Sequence, residues 1–247
     1  MELSNMTVIE YGAVSNGSGS IDEMAASTST VPVYFCRHVD HVPTDSDWQE
    51  MQLAKLVDVA TGETPRLQTT VQACWTDKAL HMRFTCEDDY IHSPYHERDD
   101  LLFHADVMEW FIDVEGTGLQ YYEFNLSPNN IVFDALIINE PDKPREYLLE
   151  WNADGLKTSV TELESSSETN QHTIQQSIQE QVSVYAYVIE LPFTDLNTTP
   201  QDGIEWRINC YRIDEDPSKN RSYWAWSPTG EINFHVPERF GRLQFVR

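Results

Sequence analysis

The sequence predicts an antiparallel β-sandwich of the jelly-roll or immunoglobulin-like kind, built as one domain. Three observations carry this reading. Short runs of alternating apolar and polar residues recur along the chain, bounded by Gly, Pro, Asn and Asp. A helical period is almost absent. Of the 247 residues, 40% are hydrophobic and 11% aromatic, enough apolar volume for a two-layer core. A closed barrel is the other architecture that the same pattern permits.

The elements follow in order. Residues 13–30 are small and polar, without an apolar period, and residues 1–30 are expected to form a flexible arm. The sandwich domain is expected over 31–247. In TTVQACWTDKALHMRFTCEDD, two runs flank Thr76-Asp77-Lys78-Ala79 in a hairpin pattern. Leu80, Met82, Phe84 and Cys86 alternate there with His81, Arg83 and Thr85, giving one dry face and one wet face. DVMEWFIDV (106–114), YYEFNLS (121–127) and NIVFDALII (130–138) read as the next strands. A polar tract at 161–181 reads as a long loop or an irregular hairpin. VSVYAYVIELPF (182–193), IEWRINCYRID (204–214) and RLQFV (242–246) complete the set. SYWAWSPTG (222–230) puts Trp224 and Trp226 two apart, on one side of a strand, with Tyr223 facing away. That pair is either a core layer or a platform for a flat, partly apolar ligand.

Charge narrows the function classes. Lys and Arg total 16 against 41 Asp and Glu, a formal net charge of -25. Such a surface repels nucleic acid and anionic membranes and suits neutral ligands or cations. No run of 18 apolar residues is present, so no membrane-spanning helix is expected. The first residues lack a basic start followed by an apolar run, which places the chain as written in the cytoplasm and leaves an extracellular setting open. Cys36, Cys74, Cys86 and Cys210 show no metal spacing and are expected to be buried free thiols.

Two strands carry charge where a core strand should not. Glu109 falls between Val107 and Phe111 on one face, while Met108, Trp110 and Ile112 share the other. Tyr121, Glu123 and Asn125 share a face opposite Tyr122, Phe124 and Leu126. Carboxylates among apolar neighbours are paired, hydrogen-bonded or set in a wet hollow. Arg207, Asn209 and Tyr211 on one face, and Arg212 on the other, are the partners within reach of a buried ion-pair reading. Two acids could also be a glycosidase pair, though no nucleophile elbow, phosphate loop, dinucleotide fingerprint or HExxH accompanies them. CEDDYIHSPYHERDDLLFHAD concentrates acids and histidines. Its aspartates Asp88, Asp89, Asp99 and Asp100 are the candidate ligands for calcium, which suits oxygen-rich loops better than zinc does. A solvated acidic loop is the plainer alternative.

The order of TTVQACWTDKALHMRFTCEDDYI, DVMEWFID, YYEFNLSPNNIVFD, WRINCYRID, YWAWSPT and FHVPERFGRLQF resembles the family 9 carbohydrate-binding modules, and more narrowly their single-module bacterial relatives, over about residues 31–247. The resemblance implies a β-sandwich that binds glucan- or xylan-type oligosaccharides or chain ends without catalysis, often beside a glycoside hydrolase in carbohydrate catabolism, with structural calcium nearby. It places a sugar-hydroxyl contact on Glu109. The first sandwiching ring falls near Phe103, where the family usually has Trp, and the second on Trp224 or Trp226. The late-strand polar partner becomes Asn209 or Arg212. Sugars present apolar C–H faces and a rim of hydroxyls, so these rings would act as plates, with Glu109, Glu123, Asn125 and an Arg at the rim. The competing readings are a glycoside hydrolase, a haem-binding sandwich of the DOMON type using Met82 or Met108, and an interaction domain whose aromatics are all core. Since residues 1–30 have no apolar face to bury, deleting them should leave the melting temperature nearly unchanged; a fall of many degrees in a thermal scan would mean that this arm is docked.

Overall fold

The alternation of the sequence becomes a hydrogen-bonded sheet that turns back on itself. The computed structural model describes residues 30–163 and 182–247. The expected arm therefore lies, up to residue 29, outside the described residues, as does the polar tract from 164 to 181. Strands β1 (Val33–His38), β2 (Ala54–Lys55), β3 (Val57–Asp58), β4 (Thr69–Trp75), β5 (Ala79–Asp88), β6 (Val107–Asp113) and β7 (Gln120–Leu126) come first. Then follow β8 (Val132–Ile138), β9 (Glu146–Leu148), β10 (Lys157–Leu163), β11 (Ser183–Pro192), β12 (Glu205–Glu215), β13 (Arg221–Ala225) and β14 (Gly241–Val246). A short helix, α1 (Asp45–Glu50), buries Trp48 against Met51 and Cys74.

The strand path runs β10-β11-β5-β4-β1-β14-β12-β6-β7-β8-β9, with β13 beside β12. Most pairings are antiparallel, as expected. β1 is the exception, parallel to both β4 and β14. Parallel neighbours need a long connection. Here nearly the whole domain lies between Val33 and its partner Arg242. The early β1 thus closes against the late β14, joining the two halves of the sandwich.

The expected hairpin forms over β4 and β5, with Ala73 opposite Met82. Thr76 holds its turn, its hydroxyl accepting the Lys78 and Ala79 amides at 3.3 and 3.1 Å. Leu80, Met82, Phe84 and Cys86 are buried in one core with Met108, Trp110, Phe124, Ile208 and Leu243 of the opposing layer. Phe84 meets Trp110 across the gap with ring centroids 6.2 Å apart. All four cysteines are buried and free, as expected.

β6 departs from a simple half-buried strand, since each of its seven residues is buried. Its even positions face the inter-layer core. Its odd positions join a second cluster with Tyr121, Phe133, Tyr211, Phe234 and Phe240. The segment before β14 folds back over this outer face, where Phe234 stacks on Tyr211 at 4.1 Å and Phe240 sits edge-on to Phe111 at 6.1 Å. A partial third layer results, which strand alternation alone does not reveal.

Between the main layers lies a buried charge. The Arg212 guanidinium donates to Asp88 at 2.9 Å and to Asp214, and also to the Thr69 hydroxyl and the Glu87 carbonyl. It also lies 5.0 Å from the Trp224 ring centre. Such a charge is tolerable only because its donors are taken. It ties β12 to β4 and β5.

Trp224 and Trp226 do share one side, and that side is the inter-layer core. Trp226 is 9% exposed and meets Tyr34 edge-on at 6.4 Å. An exposed platform needs an indole that ligand can reach, and neither ring supplies one. Gly241 permits this packing, because a Cβ there would stand 2.3 Å from the Trp226 ring. Gly241→Ala should accordingly destabilise the fold by ~1–3 kcal/mol through overpacking, and Trp226→Ala by ~3–5 kcal/mol. Urea unfolding of both variants checks this; a wild-type midpoint for Gly241→Ala would contradict the packing.

Candidate functional site

The odd-numbered face of β6, β7, β12 and β13 gathers half of the expected site residues. Cross-strand register builds one row from Tyr211, Glu109, Asn125 and Phe133. The next row holds Asn209, Phe111, Glu123 and Ala135. Glu109 and Glu123 therefore sit on adjacent strands, diagonal to each other, between apolar neighbours. The Phe234 layer covers one end of the face. Tyr95, Phe103 and Tyr223 pack half-buried against the same cluster.

Burial makes these polar groups unusual. Glu109 is 1% exposed and Asn125 fully buried. The Asn125 amide donates to Glu123 Oε1 at 3.2 Å. Among the described residues, Glu109 Oε1, Glu123 Oε2, Asn125 Oδ1 and Arg221 Nε find no hydrogen-bond partner. Buried polar atoms are satisfied in the great majority of cases, so four such atoms at one place are matched by ordered water or by a ligand. Loss of hydration holds Glu109 well above the usual carboxylate range, reinforced by Glu123 and opposed by Arg221. The same burial pushes Glu123 up to about 7, against the pull of Asn125 and Arg145. His235 Nε2 stands 3.7 Å from Glu123 Oε2. Burial, with Arg145 adding to it, drives the imidazole down to about 3, so this contact is not an ion pair. The His235 Nδ1 shares a 2.9 Å hydrogen bond with the Tyr121 hydroxyl.

Phe103 lies on a single 3-10 turn, Leu102–His104, at the rim of this face. Its carbonyl accepts from the Arg221 guanidinium, which lies 5.5 Å from the Tyr223 ring centre. Sequence reasoning passed over Arg221 and Tyr223. Their signal was the alternation itself, since the face opposite Trp224 and Trp226 is the one carrying Glu109. Tyr95, Arg145 and His235 had no such signal, because loops deliver them.

Three expected site residues are placed elsewhere, and a fourth is already engaged. Asn209 is on the right face but already engaged: its amide donates to the Tyr211 hydroxyl and the Ser227 carbonyl at 2.8 Å each, and its oxygen accepts the Cys210 and Ser227 amides. Arg212, Trp224 and Trp226 point to the inter-layer core, one residue out of phase with Glu109 across the sheet. The aspartates expected to hold calcium are also occupied. Asp88 pairs with Arg212, and Asp89 holds Arg66 at 2.5 Å. Asp100 accepts the His96 and Glu97 amides at 3.2 and 3.0 Å, while Asp99 sits in the left-handed region of that turn (φ 65°). Guanidinium groups stand against Asp88 and Asp89 where a cation would bind, so those two do not fit a calcium site. No group of three or more His, Cys, Asp or Glu able to hold a metal occurs among the described residues.

The acids have a cost that pH exposes. Glu123, titrating near 7 when folded and at 4.5 when unfolded, binds more protons in the folded state between these values. Stability must fall as pH rises through that window. Glu109 acts in the same direction. His235, lowered from 6.5 to about 3, acts oppositely below pH 6.5 and not above it. The expected outcome is declining stability from about pH 6.5 to 8, shallower in Glu123→Gln, measured as urea midpoints across pH.

The comparisons with known proteins agree with this architecture. A family model described as carbohydrate family 9 binding domain-like matches residues 39–247. A candidate carbohydrate-binding protein of Bacteroides uniformis superposes with a TM-score of 0.66 at 14% identity, covering 87% of this chain and all of that one. A family 9 carbohydrate-binding module of Caldicellulosiruptor kristjanssonii superposes with a TM-score of 0.58 in its cellotriose complex, at 13% identity over 87% of this chain and 93% of that one. Its glucose complex gives 0.59 at the same identity, with 87% and 96% covered. An Arthroderma benhamiae relative named as an extracellular protein is 25% identical over 199 residues, 74% of this chain and 81% of its own length. With the match spanning strands β2 to β14 and the fold shared, the chain belongs to the carbohydrate family 9 binding domain-like family.

Proposed function

We propose that the face bearing Glu109, Glu123 and Asn125 binds a sugar ring without catalysis. The observation that carries this is the convergence of unpartnered buried polar atoms beside half-buried aromatic rings. A sugar at the open edge of this face suits what is reachable there: its C–H faces lie against the half-buried rings and its hydroxyls exchange hydrogen bonds with polar groups at the rim, while Glu109, Glu123 and Asn125, at 1%, 5% and 0% exposure, lie beneath. Phe103, Tyr95 and Tyr223 take the part of plates, and Arg221 adds a donor at the rim. The C. kristjanssonii module, bound to cellotriose and glucose, supports oligosaccharides as the ligand class.

The thioethers of Met82 and Met108, which a haem site would call on, are packed between the main layers.

Calorimetric titration with glucose and cellotriose tests the proposal. Tyr223→Ala should weaken binding by about tenfold or more, corresponding to ~1.4 kcal/mol or above. Glu109→Gln should weaken binding while leaving the protein folded at pH 8. Unchanged affinity in both variants would place the ligand elsewhere.

A further inference from the structure

Arg66, Arg98 and Arg212 each hold a carboxylate at hydrogen-bond distance. Arg221 holds none among the described residues. One arm of its guanidinium donates to the Phe103 carbonyl, its plane lies by the Tyr223 ring, and its buried Nε–H lacks an acceptor. Arg145, near the other end of the same face, also spends its donors on neutral groups: the His235 carbonyl at 2.9 Å and the Asn139 side-chain oxygen at 3.3 Å. Between them stand Glu109 and Glu123, which burial holds towards their neutral forms. Two guanidinium groups thus frame the site, neither in an ion pair with a carboxylate among the described residues, although Glu215 is the cross-strand partner of Arg221 and Glu109 and Glu123 are their nearer acids.

We infer that the sugar recognised on this face carries a carboxylate, as a uronic acid or uronide does, and that Arg221 is the residue that selects it. The inference rests on the carbohydrate reading above and narrows its ligand class. A guanidinium in a dry site is poorly satisfied by a neutral hydroxyl, which can accept one N–H without offsetting the charge. A carboxylate accepts two N–H bonds together, in the planar fork that Arg presents. Protonated Glu109 would then donate a hydrogen bond instead of repelling the anion. The exposed acids elsewhere weigh little against this, since salt screens them beyond roughly 8–10 Å.

Three probes separate the possibilities: methyl β-glucuronide, methyl β-glucoside and the corresponding 2-amino-2-deoxyglucoside, each titrated calorimetrically into the full chain. The glucuronide should bind about tenfold or more tightly than the glucoside, and the amino sugar least. Arg221→Gln should bring glucuronide and glucoside to within about twofold of each other, whereas Arg221→Lys should keep part of the difference. Should Arg221→Gln fail to fold, the wild-type ranking and the Lys variant still decide. A glucoside bound as tightly as the glucuronide, or an amino sugar bound best, overturns the inference and leaves the carbohydrate reading standing. Absence of binding by all three probes, and by cellotriose, overturns both.

Discussion

The structure turns on the burial of β6 on both of its faces. A strand in an ordinary sandwich shows one side to water, and polar residues there need no explanation. In this protein the segment carrying Phe234, His235 and Phe240 returns over the outer face of β6, β7 and β12. Glu109, Glu123 and Asn125, which would have been solvated, are dry as a result. Their raised proton affinities, their orphaned oxygens and the need for an external partner all follow from that one covering.

Two kinds of buried charge coexist in the domain and differ in how they are satisfied. Arg212 is surrounded by acceptors from three strands, so it links the layers and asks nothing of a ligand. The Glu109–Glu123 pair has fewer partners than atoms to satisfy. The first arrangement is what a structural ion network looks like, because both terminal nitrogens are matched inside the protein. The second is poised, with stability given up locally where a ligand could restore the missing hydrogen bonds. The same comparison assigns Asn209 to structure: its amide and oxygen are filled by β12 and the Ser227 turn, although it shares a face with Glu109.

The aromatic residues divide along the same line. Trp110, Trp206, Trp224 and Trp226 fill the space between the layers. Smaller rings, Tyr95, Phe103 and Tyr223, are left at the edge of the outer face with part of their surface open. Large indoles thus supply core volume while Phe and Tyr border the candidate site. Tyr223 reaches that border because it is out of phase with the tryptophans on either side of it.

The sequence by itself determined the class of fold, most strand positions and which face each residue takes. Alternation is a local property, and a period of two allows little freedom once a strand is paired. Leu80, Met82, Phe84 and Cys86 therefore landed on a core face as their spacing required, and Glu109, Glu123 and Asn125 on the opposite side of their strands from Trp110 and Phe124. The parallel placement of β1 was not legible, because it depends on segments some two hundred residues apart meeting at a sheet centre. Nor was the role of SYWAWSPTG. Its alternation put Trp224 and Trp226 together, but only packing against Tyr34 and the bare backbone of Gly241 decided that their side was the interior. The aspartates at 88 and 89 were visible as charge; the arginines that neutralise them come from residues 66 and 212, and no local pattern links those positions. Pattern tells which residues share a face. What covers that face is settled by contacts between distant parts of the chain, and in this protein that covering separates core from site.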